Sequence, residues 1–199
     1  MARQNPLELL SSGKALWNTW RRDHPDVQAV EPDLHGADLH GADLRGMDLH
    51  GADLTEANLQ EANLSEAKLV KAQFCKANLN RVNFVYAKLE RADLSEAQLN
   101  EANMVLAQLP RANLNKAVMS KAYLIMTNLR GATLASADLS EALLNEAVWR
   151  NSTTNFWVGF KLWGAIPLTL LFALANIPML LRHGLVQEDA VPAEPGPVE

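Results

Sequence analysis

From Pro32 to Asn151 the chain repeats one pattern every five residues: a large apolar side chain, two outward positions, a small residue, then one more outward position. The large residue falls at Leu34, Leu39, Leu44 and every fifth position to Leu144 and Trp149, which makes 24 units. Nineteen centres are Leu, Phe74, Phe84, Met104, Met119 and Trp149 fill the others, and Ala stands two before the centre in 20 units. Inward positions are thus spaced two, three, two, three, which matches neither the 3.6 period of a helix nor the 2.0 period of a strand. On an α-helix, residues five apart are turned about 140° from one another, so the leucines would cover the whole circumference. A chain that turns a corner every five residues can bury all 48 inward positions, and the pattern predicts a coiled solenoid.

The outward positions predict how many sides one coil has, because equivalent positions stack above one another. The second residue after the centre is Gly, polar or charged except at Tyr86, Leu106 and Met126, which are 20 residues apart. Four units then make a coil, and six coils at the spacing of hydrogen-bonded strands make a rod about 29 Å long. Val85, Val105 and Ile125, just before those three, are apolar too, and Tyr123 and Leu143 flank them on the same side. These eight residues form the candidate surface for an unidentified protein partner, since clustered exposed apolar side chains mark contact sites.

Runs such as Ala37-Asp38-Leu39-His40-Gly41 and Ala52-Asp53-Leu54-Thr55-Glu56 closely resemble the pentapeptide repeat family, over residues 32–151. The resemblance implies an all-β solenoid, a right-handed quadrilateral parallel β-helix, and it is the sole ground for the handedness. Asp or Asn precedes the centre in 14 units, where a short polar side chain bonds nearby turn backbone. The family also includes quinolone-resistance proteins whose acidic rods imitate DNA and bind DNA gyrase, so a DNA-mimic regulator is the alternative function. Family precedent points to cyanobacterial plasma or thylakoid membranes as one setting.

The two ends differ from the repeat. A solenoid leaves an open hydrogen-bonding edge at each end, and residues 1–31 suit a helical N-terminal cap. Asn5 with Glu8 resembles an N-capping arrangement, Pro6 fits a first helical turn, and Leu7, Leu10, Trp17 and Trp20 are expected to bury one face. Residues 152–183 are apolar, and Leu162 to Leu181 are 20 residues without a charge, enough for a helix to span about 30 Å of hydrocarbon. Pro167 and Pro178 are tolerated in membrane helices, Leu170, Leu171, Phe172 and Leu181 supply the apolar surface, and Trp157 and Trp163 suit an interfacial belt. Lys161 would snorkel outward. The competing expectation is a soluble cap helix or an oligomer interface, which leaves a homo-oligomer open. Residues 184–199, rich in Pro and acids, are expected to be a disordered tail.

Composition changes this picture little. The 199 residues carry a formal net charge of −5, and between residues 32 and 151 there are 15 acids against 12 Lys and Arg, too weak a balance for a strong acidic field. No nucleic-acid partner is expected. Cys75 alone can form no internal disulfide. Met1 to Gly13 lack a basic region followed by an apolar run, so no secretory signal is expected and the repeat is assigned to the cytosol as part of a single-pass membrane protein. His35, His40 and His50 fall on three different sides of the first coil, Gly36, Gly41, Gly46 and Gly51 occupy repeat positions rather than a phosphate loop, and no nucleophile with its base is apparent. Neither catalysis nor a cofactor nor a metal is expected.

Overall fold

The computed structural model describes residues 6–23, 32–149 and 152. Two short helices, α1 (Pro6–Ser11) and α2 (Lys14–Asp23), precede the repeat. In the repeat, parallel β pairing joins residues 20 apart, from Asp33 with Asp53 to Asn128 with Val148. Four units therefore close one turn, and four sides run along the rod. Side I carries the units centred on Leu34, Leu54 and Phe74, side II those on Leu39, Leu59 and Leu79, side III those on Leu44, Leu64 and Phe84, and side IV those on Leu49, Leu69 and Leu89.

The five-residue period follows from where each backbone N–H goes. In the first unit, Leu34 and Gly36 donate to the carbonyls of Asp53 and Thr55 in the next coil, at 2.8 and 2.9 Å. Asp53 donates back to Pro32, and Ala37 donates to Leu34 within the same coil, closing the corner. The pattern recurs through the interior coils and leaves one N–H per unit there, that of the residue just after the centre. In all 14 units with Asp or Asn before the centre, the side-chain oxygen accepts that last N–H, from His35 donating to Asp33 at 3.1 Å to Ser140 donating to Asp138 at 3.1 Å. The acids and amides are turn residues, and each removes an orphan donor.

Every described corner places the second residue after the centre in left-handed backbone, at φ values between 55° and 61° for the 18 non-glycine residues concerned. With the bond that closes the corner, this is the type II turn arrangement. Each non-glycine residue held there costs on the order of 1 kcal/mol. The same residue's N–H offsets that cost by bonding the next coil, as Glu56 does to Cys75 at 3.0 Å. Pro110 occupies the position whose N–H needs no backbone partner, in a unit where Gln108 rather than Asp or Asn precedes the centre.

Inside, 45 of the 48 inward residues are buried. The three exceptions, Leu39, Ala42 and Trp149, are partly exposed because they lie in the first and last turns, where a neighbouring coil is missing on one side. Phe74 and Phe84 meet edge to face with centroids 6.0 Å apart. Thr127, in a position usually held by Ala, is buried and donates its hydroxyl to the Met104 carbonyl at 2.7 Å. Ser152 repeats this contact on Leu129 at 3.2 Å, five units further along and so on the following side.

Helix α2 lies against the outer edge of the first coil. Trp17 Nε1 donates to the Asp48 carbonyl at 2.7 Å, Asn18 Oδ1 accepts from the Asp48 N–H at 2.8 Å, and Arg21 donates to the His50 carbonyl at 2.7 Å. In later coils the equivalents of these three backbone groups bond the preceding coil. Side chains of α2 thus stand in for a missing coil above side IV. Trp17 is fully buried and Leu10 of α1 nearly so, whereas Leu7, expected on the same buried face, is exposed and Leu9 packs against the core instead. Asn5 and residues 153–199 lie outside the described residues, and with them Trp157, Lys161, Trp163, Pro167, Leu170, Leu171, Phe172, Pro178 and Leu181. Among the described residues no helix is long and apolar enough to cross a membrane.

Candidate interaction surface

Side III changes character along its length. Its first turns carry Asp43, Arg45 and Glu66, and Asn63, Asn83 and Asn103 follow in the position before the centre. Tyr123 and Leu143 then replace the amides, paired in register with Asn103 above them. Val85, Val105 and Ile125 stack in the position after the centre, and Tyr86, Leu106 and Met126 stack at the corner leading to side IV. The stacking is fixed by backbone bonds: Tyr86 donates to Val105 at 3.3 Å, and Leu106 donates to Ile125 at 3.0 Å. All eight candidate residues therefore share one side and its edge.

Their exposure is unequal. Tyr86 is 56% exposed, and Tyr123, Met126 and Leu143 also project into solvent. Val85, Val105, Leu106 and Ile125 are half-buried between their neighbours, so they form the floor from which the other four rise. Sequence reasoning missed Val148, which is 48% exposed on side IV of the last turn. Its signal was available: Val118, Tyr123, Leu143 and Val148 are where Asp, Asn, Gln, Lys or Thr otherwise precede the centre.

The polar corners behave differently. At the corner after side II, Glu61, Arg81 and Glu101 stack in alternation, with Arg81 reaching Glu61 at 3.5 Å and Glu101 at 3.1 Å. After side I, Lys116 meets Glu96 at 3.0 Å and Lys76 meets Glu56 at 4.0 Å. Solvent screens these exposed pairs, so they add little stability, but they interrupt any continuous acidic column. At the first coil, the side-chain bond from Arg45, helped by the Arg45 N–H, lowers the Asp43 carboxyl to about 2. His35, His40 and His50 sit on sides I, II and IV in the same unit position, and among the described residues no group of three or more metal-binding side chains comes together.

These features define a protein built of pentapeptide repeats. Residues 33–69 and 57–95 match the family model for pentapeptide repeats, in eight copies, and residues 102–187 match that of intracellular septation protein A. Among solved structures, the chain is similar to a trypsin-treated variant of QnrB1, a plasmid-mediated fluoroquinolone resistance protein, at TM-score 0.58 and 22% identity over 62% of this chain and 67% of that one. That likeness concerns the fold. Among curated proteins, it is 51% identical over 48 residues to the inner membrane-spanning protein YciB of Sinorhizobium medicae, covering 24% of this chain and 23% of that protein. The YciB of Brucella suis is 46% identical over 47 residues, covering 24% of each. The chain thus spans about a quarter of the length of the curated relatives it matches.

Proposed function

We propose that the chain is a non-enzymatic, membrane-anchored scaffold, a right-handed β-helix of six coils capped by residues 1–31 and held at the bilayer by residues 162–181. Its repeat body lies on the cytosolic side and binds a protein partner through Val85, Tyr86, Val105, Leu106, Tyr123, Ile125, Met126 and Leu143. The observation that carries the partner site is the in-register stack of these apolar side chains on a rod whose other corners are glycine, polar or charged. The similarity to inner membrane-spanning proteins and the uncharged run Leu162 to Leu181 support the anchor. Alternating charge on two corners speaks against imitation of DNA, which requires a continuous acidic field.

Replacing Leu106 and Met126 together by Glu tests the partner site. Both are at corners whose backbone already accepts Glu elsewhere in the repeat, so the rod stays folded, and partner recovered with the tagged chain from solubilised membranes falls at least about tenfold. Undiminished recovery removes side III as the docking surface. A chain ending at Asn151 tests the anchor: it is expected in the soluble fraction, while the full chain resists carbonate extraction.

A further inference from the structure

The summed charge of the repeat conceals a separation that the 20-residue register exposes. Lys68 and Lys88 stack in the position before the centre of side IV, and Lys71, Arg91 and Arg111 stack at the corner beyond it, with Arg130 between. Within residues 33–149, six basic and two acidic residues belong to side IV, a formal +4, while the other three sides hold five basic and thirteen acidic residues, a formal −8. All six cations are exposed. Lys68 reaches Asp48 at 3.6 Å and Arg91 reaches its neighbour Glu90 at 3.9 Å, but Lys71, Lys88, Arg111 and Arg130 make no ion pair among the described residues. Elsewhere on the rod, Lys and Arg are mostly answered by carboxylates one coil away; here four of the six cations are left uncompensated among the described residues.

We propose that side IV is a second, lipid-facing surface, by which the rod lies along an anionic bilayer. The side is a stack of flat coils rather than a cleft, so its cations meet an extended array of headgroups rather than one ligand. Of the thirteen acids, Glu66 and Glu146 stand at the corner between sides III and IV, and the other eleven are on the sides turned away or sideways, where salt screens them further from the headgroups. The proposal rests on the membrane anchor of the preceding reading: a rod tethered to a bilayer meets it at high effective concentration, so modest attraction suffices to set its orientation. Each uncompensated cation near an anionic surface contributes roughly fivefold to that preference. With side IV against the lipid, side III faces along the membrane and stays open to a partner in the same plane.

The test uses the full chain with Cys75→Ser and a single spin label at Gln108→Cys on side IV or Gln98→Cys on side II, two exposed glutamines in the same unit position on opposite sides of one coil. The chain is reconstituted into phosphatidylcholine vesicles with or without about 30% phosphatidylglycerol, and label accessibility to an aqueous paramagnetic relaxer is read. In anionic vesicles the label at 108 is expected to lose at least about threefold of its accessibility while that at 98 keeps its own, and about 0.5 M salt restores it. Lys88→Glu, Arg111→Glu and Arg130→Glu together restore it at low salt, with an unchanged circular dichroism spectrum. Equal accessibility of the two labels in anionic vesicles overturns the proposal, as does equal shielding in phosphatidylcholine alone. Shielding of 108 only in native membranes overturns it in favour of an acidic protein. Flotation of the chain with either vesicle reports the anchor separately, so a failed anchor and a failed lipid face give different results.

Discussion

Two prolines placed one residue apart, Ser120→Pro and Lys121→Pro, should act in opposite directions. Ser120 follows the centre Met119, and its N–H is the one in five that the coil-to-coil bonds do not use. Val118 before the centre offers no side-chain oxygen, so no bond is lost, and Pro110 already occupies the equivalent place two units earlier. Proline is the favoured second residue of a type II turn, and it restricts the unfolded chain, so a gain of about 0.4–1 kcal/mol is expected. Lys121 differs in both respects. Its φ is 58°, whereas proline requires about −65°, and its N–H donates to Ser140 at 2.8 Å. Losing that bond costs about 1–3 kcal/mol, and a corner that cannot be formed brings the total to about 3 kcal/mol or more. Thermal unfolding of the full chain in detergent, followed by far-ultraviolet circular dichroism, should show Ser120→Pro melting at or slightly above the parent. Lys121→Pro should melt roughly 6–12 °C lower, at about 2–4 °C per kcal/mol for a chain of this size. Comparable losses for both variants would refute the backbone accounting, and so would tolerance of Lys121→Pro.

Two further predictions address the first coil. Asn18→Ala removes both the acceptor for the Asp48 N–H and the donor to the Gly46 carbonyl, at 2.8 and 3.0 Å, so about 1–3 kcal/mol of local stability should go. Hydrogen exchange of the Asp48 amide should accelerate at least about tenfold while amides of the middle coils keep their rates; uniform acceleration would contradict a local role. The Asp43 carboxyl, lowered from 3.8 to about 2 first by the Arg45 side-chain bond and then by the Arg45 N–H, contributes stability that is present above 3.8 and is lost as the pH falls through about 2. Arg45→Ala should raise the Asp43 midpoint toward 3.8 in a carboxyl NMR titration, and an unmoved midpoint would count against the pair.

Much of the repeat body was legible in the order of residues. Alternation of Leu and Ala at spacings of two and three excludes helix and strand periods by arithmetic, and Tyr86, Leu106 and Met126 reveal the 20-residue coil because stacking puts like positions in one column. Asp and Asn before the centre declared themselves as turn residues because only a short side chain reaches the N–H two residues on. The eight apolar positions of side III followed from the same register. Other features depend on relations across the rod that no local pattern carries. Trp17, Asn18 and Arg21 meet Asp48 and His50 across about 30 positions of sequence, and that pairing exists only once α2 lies on the coil edge. The exposure of Leu7 and the packing of Leu9 were decided there too. Charge shows the distinction most clearly. A sum over the chain is nearly balanced whichever way it folds, whereas the field at a surface depends on which charges share a side. Coiling sorts six cations onto side IV and most carboxylates elsewhere, because Coulomb attraction acts through space at distances that only the closed, stacked turns define.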